Sequence, residues 1–291
     1  MTTKRARLGS ANTTAIVDCG QGVPLVILPG VQGRWEYMRP TVEALSQHFR
    51  VLTFSLCGER TSTRPFDRSR GLDSFVDQVD AVLDERGIGA AIVCGVSFGG
   101  LIALRFAASR PARARALVLA STPGPGWHLK RRHDVYAHFP WLFGPAFLLE
   151  VPWRLRRELR FALPDANERR RFRWEQWQTF VKAPVSPARM AERARLIARA
   201  NAAGDCTRVS TPTLVMVGEP ELDHIVSVDG AAAYGQLIAG AQTVVMDRTG
   251  HLGCVTRPVA FAAHVQAFWN RVGQGDDAAS DVAPHEATDA A

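Results

Sequence analysis

Ala91-Ile92-Val93-Cys94-Gly95-Val96-Ser97-Phe98-Gly99-Gly100-Leu101-Ile102-Ala103-Leu104-Arg105-Phe106 runs from one apolar stretch, through a serine bracketed by glycines, into a second apolar stretch. The first stretch has the length of a buried strand, and the second continues as a helix to Arg110-Pro111. A sharp strand-to-helix turn lifts a serine hydroxyl out of the fold, where a base can reach it, so Ser97 is the candidate nucleophile. Gly95 and Gly99 are there for steric reasons: strand and helix meet almost back to back, and a side chain at either position collides across the turn. Small-residue turns also end ordinary parallel strands, so the weight of Ser97 depends on partners elsewhere in the chain.

Outward from this turn, strands and helices alternate. Before it, Thr14 to Cys19 and Pro24 to Leu28 read as strands, Thr41 to His48 as a helix, and Val51 to Leu56 as a strand. Leu72, Phe75, Val76, Val79, Val82 and Leu83 recur at helical spacing, with Gly87 as the stop. After the turn come strands at Ala116 to Ala120, Thr213 to Val217 and Thr243 to Met246, a helix near Ala231 to Ile238, and a closing helix with Phe261, Val265, Phe268 and Trp269. This alternation predicts an α/β fold, a mostly parallel sheet with helices on both faces.

The rhythm stops between about Pro125 and Asp205. No comparable apolar strand occurs there, yet five of the seven tryptophans do: Trp127, Trp141, Trp153, Trp174 and Trp177. The stretch reads as a helical insertion over the carboxyl ends of the strands, where open parallel sheets hold ligands. Its tryptophans then either line a pocket or form a small core of the insertion's own. The expected division is a disordered N-terminus at 1–13, a core built from 14–124 and 206–272, a helical cap at 125–205 and a disordered acidic tail at 273–291.

With 291 residues, 46% hydrophobic and 22% charged, the composition is that of an ordinary globular chain. The polar, basic start has no apolar stretch behind it, so no secretory signal is expected and the address is read as cytoplasmic. Five scattered cysteines, odd in number and without ligand spacing, read as reduced thiols, with no metal site and no disulfide frame. The apolar stretch Phe139 to Trp153 is broken by Pro140, Gly144, Pro145, Glu150 and Pro152 and is too short for a membrane span. Residues 125–205 carry 16 Lys and Arg against 8 Asp and Glu, a surplus larger than the +7 of the whole chain. No nucleic-acid motif surrounds the Arg169-Arg170-Arg171-Phe172-Arg173 run, so it reads as a solvated helix face and no nucleic-acid partner is expected.

If Ser97 attacks, a base must take its proton. Thr249-Gly250-His251-Leu252-Gly253 follows the last strand, which places His251 on a loop free to reach over the sheet edge. His224 is the nearest rival among the other histidines. The orienting carboxylate belongs at the end of another strand, and Met216-Val217-Gly218 is followed by Glu219-Pro220-Glu221-Leu222-Asp223-His224-Ile225-Val226. Asp223 is preferred because Ile225-Val226 anchors its loop, with Glu221 as the alternative acid and Glu219 also within reach. Donors for an oxyanion are expected from the amide of Phe98, at the head of the helix, and from the amide of Val31 in the loop Pro29-Gly30-Val31-Gln32-Gly33, with Gly30 and Gln32 supporting it.

The serine turn, the Gly30 to Gly33 loop, Gly218 through Asp223 and Gly250-His251 together resemble the α/β-hydrolase superfamily, in its serine-nucleophile branch with a helical cap. The resemblance covers roughly 14–124 and 206–270. It implies an eight-stranded, mostly parallel sheet, a cap inserted after the sixth strand, and a Ser-His-Asp triad working through an acyl-enzyme with no cofactor. The chain departs from the pattern in having Pro29-Gly30 where many members have His-Gly, and in an acid loop about two residues longer, which keeps Glu221 in contention. The serine excludes the branches with an aspartate nucleophile, the haloalkane dehalogenases and epoxide hydrolases. The expected activity is hydrolysis of an ester, thioester or lactone of a small to medium apolar substrate. Acyl transfer, perhydrolysis, carbon–carbon bond hydrolysis and a non-catalytic ligand-binding role are the alternatives the same residues allow.

Overall fold

The apolar runs form seven strands in the computed structural model, which describes residues 16–280 apart from 63 and 130. In chain order these begin with β1 (Val17–Cys19), β2 (Pro24–Leu28), α1 (Arg39–Leu45), β3 (Arg50–Thr53), α2 (Asp73–Glu85), β4 (Ala91–Val96), α3 (Phe98–Ser109) and β5 (Ala114–Ala120). A helical segment follows, hereafter the cap: α4 (Arg131–His138), α5 (Pro140–Arg154), α6 (Arg156–Ala162), α7 (Ala166–Lys182), α8 (Pro187–Arg199) and α9 (Ala202–Cys206). Alternation then resumes with β6 (Thr213–Val217), α10 (Val228–Ala232), α11 (Tyr234–Leu237), β7 (Gln242–Val245), α12 (Gly253–Thr256) and α13 (Pro258–Ser280).

The sheet order is β1-β3-β2-β4-β5-β6-β7, antiparallel only between β1 and β3. The expected eight strands are therefore seven among the described residues, and the cap follows the fifth of these strands, not the sixth. The difference lies at the β1 edge, where the sheet opens with a three-residue antiparallel strand and no further strand is described outside it. Residues 1–15 and 281–291, which hold most of the expected disordered termini, lie outside the described residues. The last helix runs to Ser280, past the boundary expected at 272.

Side chains alternate across the pleat. On β2, Val26 and Leu28 face a cluster with Phe75, Val79 and Leu101 from α2 and α3, while Leu25 and Ile27 face Phe261, Val265 and Phe268 from α13. Helices on both faces are what make the central strands apolar on both sides. The expected helical run is realised in α2, where Phe75, Val76, Val79, Val82 and Leu83 are all buried.

This topology decides where a site can form. The chain leaves β2 for β3 on one side and returns to β4 on the other, so the crossovers diverge at the carboxyl ends of β2 and β4. Leu28 pairs in register with Gly95, which brings the loop after β2 beside the turn after β4.

Candidate active site

Ser97 sits at φ 55° and ψ −119°, a left-handed conformation that a non-glycine residue adopts only when its surroundings impose it. Two backbone bonds do so: the Ser97 amide donates to the Ala120 carbonyl at 2.8 Å, and the Gly100 amide donates to the Ser97 carbonyl at 2.9 Å. The glycines are required by packing, since a Cβ on Gly95 would lie 2.1 Å from the Gly99 carbonyl oxygen and one on Gly99 would lie 2.3 Å from that of Leu28. Strand and helix thus meet backbone to backbone, with the serine at the tip.

Twenty-eight residues apart in sequence, Asp223 and His251 meet, Nδ1 of the ring lying 3.3 Å from Oδ2 of the carboxylate. The other oxygen, Oδ1, accepts from the amides of Ile225 and Val226 at 2.9 Å each; of the expected apolar pair, Val226 is buried in the core while the Ile225 side chain is exposed. Burial opposes ionisation of Asp223, but the His251 charge and hydrogen bond and the two amides outweigh it and hold the carboxyl below its ordinary range. Burial likewise disfavours imidazolium at His251, and Asp223 outweighs it, lifting the ring above its ordinary value with help from the charge of Glu158. The competing carboxylates are occupied or remote: Glu219 accepts from the Arg248 amide at 2.5 Å, and Glu221 points to solvent. His224 is exposed and offers its carbonyl to Arg154.

Ser97 and His251 line one cavity of about 210 Å³ together with Val31 and Gln32. Phe98 takes the first position of α3, where a helix leaves its amides without intrahelical acceptors. Gly30 passes so close to the turn that a Cβ there would be 3.4 Å from the Ser97 Cβ. The loop is closed by the Gly33 amide donating to the Gly30 carbonyl at 2.9 Å.

Two cap residues that look like surface charges in the sequence reach these loops. Arg193 of α8 is 3% exposed, donates to the Val31 carbonyl at 3.0 Å, and pairs at 2.7 Å with Glu59, itself buried and paired again with Arg189. Glu158 of α6 is 1% exposed and accepts from the Leu252 amide, next to His251, at 2.6 Å. A readable signal exists for both. Met190, Arg193, Ala194 and Ile197, and likewise Leu155, Glu158, Leu159 and Ala162, follow the i, i+3, i+4, i+7 pattern of a buried helical stripe with one charged member.

Neither expectation for the cap tryptophans holds for the group. Trp127 lines the cavity, but Trp141, Trp153, Trp174 and Trp177 are all more than half exposed. They find local partners, Trp174 stacking on Trp177 at 4.9 Å and the Arg156 guanidinium lying 3.9 Å over Trp153. The cavity wall is instead made of smaller apolar residues, among them Leu155, Met190, Ile197, Ile225 and Val226. Among the described residues, no three His, Cys, Asp or Glu side chains are grouped to hold a metal ion, and no helix is long and apolar enough to cross a membrane.

The model of the α/β-hydrolase fold family matches residues 23–258. Over 267 residues, 87% of this chain and 98% of the relative, the sequence is 29% identical to a pimeloyl-[acyl-carrier protein] methyl ester esterase of Nitrosomonas europaea. It is also 29% identical, over 88% of this chain and 89% of the relative, to a 2-hydroxymuconate semialdehyde hydrolase of a Pseudomonas species. In fold it is similar to an enol-lactonase from Burkholderia xenovorans, with a TM-score of 0.71 and 22% identity over 88% of this chain and 95% of that one.

Proposed function

The chain belongs to the α/β-hydrolase fold family, and we propose that within it this protein is a serine hydrolase that cleaves an ester, thioester or lactone of a small to medium apolar substrate. One observation carries the reading: the strained serine at the turn and the histidine of the buried Asp223–His251 pair open onto the same apolar cavity. A histidine whose Nδ1 faces a carboxylate keeps Nε2 free to accept a proton, and a serine exposed on such a turn is positioned to give one.

In the proposed sequence Ser97 Oγ attacks the acyl carbon and its proton passes to His251 Nε2. Asp223 holds the ring by Nδ1 and stabilises the imidazolium. The carbonyl electrons move onto oxygen, where the amides of Val31 and Phe98 donate to the oxyanion. Collapse breaks the acyl bond to the leaving oxygen or sulfur, which takes the proton back from His251. Water then attacks the acyl-serine with His251 as base, and release of the acid returns that proton to Ser97. None of these steps requires a cofactor, and the partner is a small molecule.

Similarity to an esterase over nearly its whole length supports this reading. A second reading, hydrolysis of a carbon–carbon bond by the same residues, is supported by similarity to the 2-hydroxymuconate semialdehyde hydrolase. A substrate panel separates them. Turnover of p-nitrophenyl esters or of lactones, absent in Ser97→Ala, supports the first; turnover of 2-hydroxymuconate semialdehyde with no ester turnover supports the second.

A further inference from the structure

A glutamate inside an apolar helical stripe is out of place. Leu155, Leu159 and Ala162 flank Glu158 on α6, and a leucine at 158 would continue the stripe without removing a carboxylate from water. Among the described residues no lysine or arginine pairs with it. Oε1 accepts from the Leu252 amide at 2.6 Å, while Oε2 is buried without a hydrogen-bond partner. Packing alone does not account for such a group.

Its location supplies one. The loop 250–252 is held from two sides. On one, Gly250 lies against the acid loop so closely that a Cβ would sit 2.5 Å from the Leu222 carbonyl oxygen and 2.8 Å from the Asp223 amide. On the other, the Leu252 backbone amide donates to the Glu158 carboxylate. His251 stands between these two fixings. The carboxylate also faces the ring electrostatically, together with Asp223 on the acid loop and Arg154 of α5, whose charge opposes the other two at the ring, while the buried Cys254 thiol after His251 is pushed up by burial and by the nearby Glu158 charge.

We propose that Glu158 is a positioning residue through which the cap holds the His251 loop in place and tunes the ring by its charge. The inference rests on the reading of His251 as the base. Burial, against the opposing amides of Leu252 and Gly250 and the His251 charge, pushes the Glu158 carboxyl up from its ordinary 4.5 to about 7, so its charge changes in the range where a histidine base works. At higher pH the ionised carboxylate favours imidazolium, and at lower pH the protonated form withdraws that support.

Two variants test this in the full-length protein. Glu158→Gln keeps an acceptor for the Leu252 amide and removes the charge; Glu158→Leu removes both and completes the stripe. The ring of His251 is followed by NMR titration, and kcat and KM are measured on the best ester of the panel. Glu158→Leu is expected to fold as well as the parent and to lose on the order of 10- to 100-fold in kcat with KM within about threefold, because the base is displaced, not the pocket. Glu158→Gln is expected to keep most of kcat while the His251 pKa falls by roughly half a unit or more. The proposal is overturned if folded Glu158→Leu keeps the parent kcat, or if the His251 titration is unmoved in both variants. Lack of ester turnover in the parent would sink the ester reading alone, since the histidine titration still decides the role of Glu158.

Discussion

Strand β2 and helix α7 carry comparable amounts of large apolar side chain and treat it in opposite ways. Leu25 to Leu28 are completely buried, whereas α7 has no buried residue although it contains Trp174, Trp177, Phe180 and Val181. The core buries its strands between two helical layers, so its apolar residues are held by geometry. The cap meets the core through scattered polar contacts, among them Arg193 to the Val31 carbonyl, Glu158 to the Leu252 amide, and a Tyr37 hydroxyl donating to the Ala183 carbonyl at 3.0 Å. In the proposed reading the core holds the reacting groups and the cap fixes their loops from outside.

The largest effect expected from breaking this arrangement is on the core side. Asp223→Asn leaves the packing intact but loses the charge that holds the ring tautomer, and kcat is expected to fall by about 10⁴-fold with unchanged circular dichroism. Near-normal kcat in that variant would move the acid role away from Asp223. Next in size is the joint between the regions. Glu59→Gln leaves the buried Arg193 guanidinium without its counter-charge, and a loss of about 3 kcal/mol or more is expected in denaturant unfolding, with slower turnover as the Val31 loop loosens. A loss no larger than that from a surface charge would mean that the cap does not depend on this pair.

Comparable truncations then separate the two regions directly. Phe268→Ala in the core should destabilise by about 3 to 5 kcal/mol, while Trp141→Ala in the cap should stay within about 0.5 kcal/mol. Equal losses would mean that the cap aromatics are buried after all. A smaller effect is expected in the pH profile. Burial favours neutral His251 but Asp223 outweighs it, so the folded ring is held above its ordinary 6.5. Only the neutral ring accepts a proton, so kcat/KM should climb as pH rises through a midpoint above 6.5. In Asp223→Asn any residual activity should have its acid limb at lower pH.

The same contrast explains what the sequence disclosed. The α2 stripe and the alternation on β2 and β4 were legible because two buried faces leave period and composition no freedom. Ser97, Asp223 and His251 were legible because each follows a strand and carries a local signature, a glycine-bracketed turn or an apolar anchor. The choice between Asp223 and Glu221 needed three dimensions, since only the fold turns one inward and the other outward. Glu158 and Arg193 are single charges inside apolar helical stripes, and the period shows the stripe but not which loop its charged member reaches; the resemblance implies eight strands where the apolar runs themselves mark seven. The tryptophans mislead because size suggests burial, while α7, which carries two of them, has no buried residue.

The central claim is that Ser97 is the nucleophile of a preassembled site. Incubating the folded protein with a fluorophosphonate and mapping the adduct by mass spectrometry tests it most directly. One adduct on Ser97, absent in Ser97→Ala and strongly slowed in His251→Ala, is the predicted result; folded protein that stays unlabelled at Ser97, or takes the label elsewhere, would contradict it.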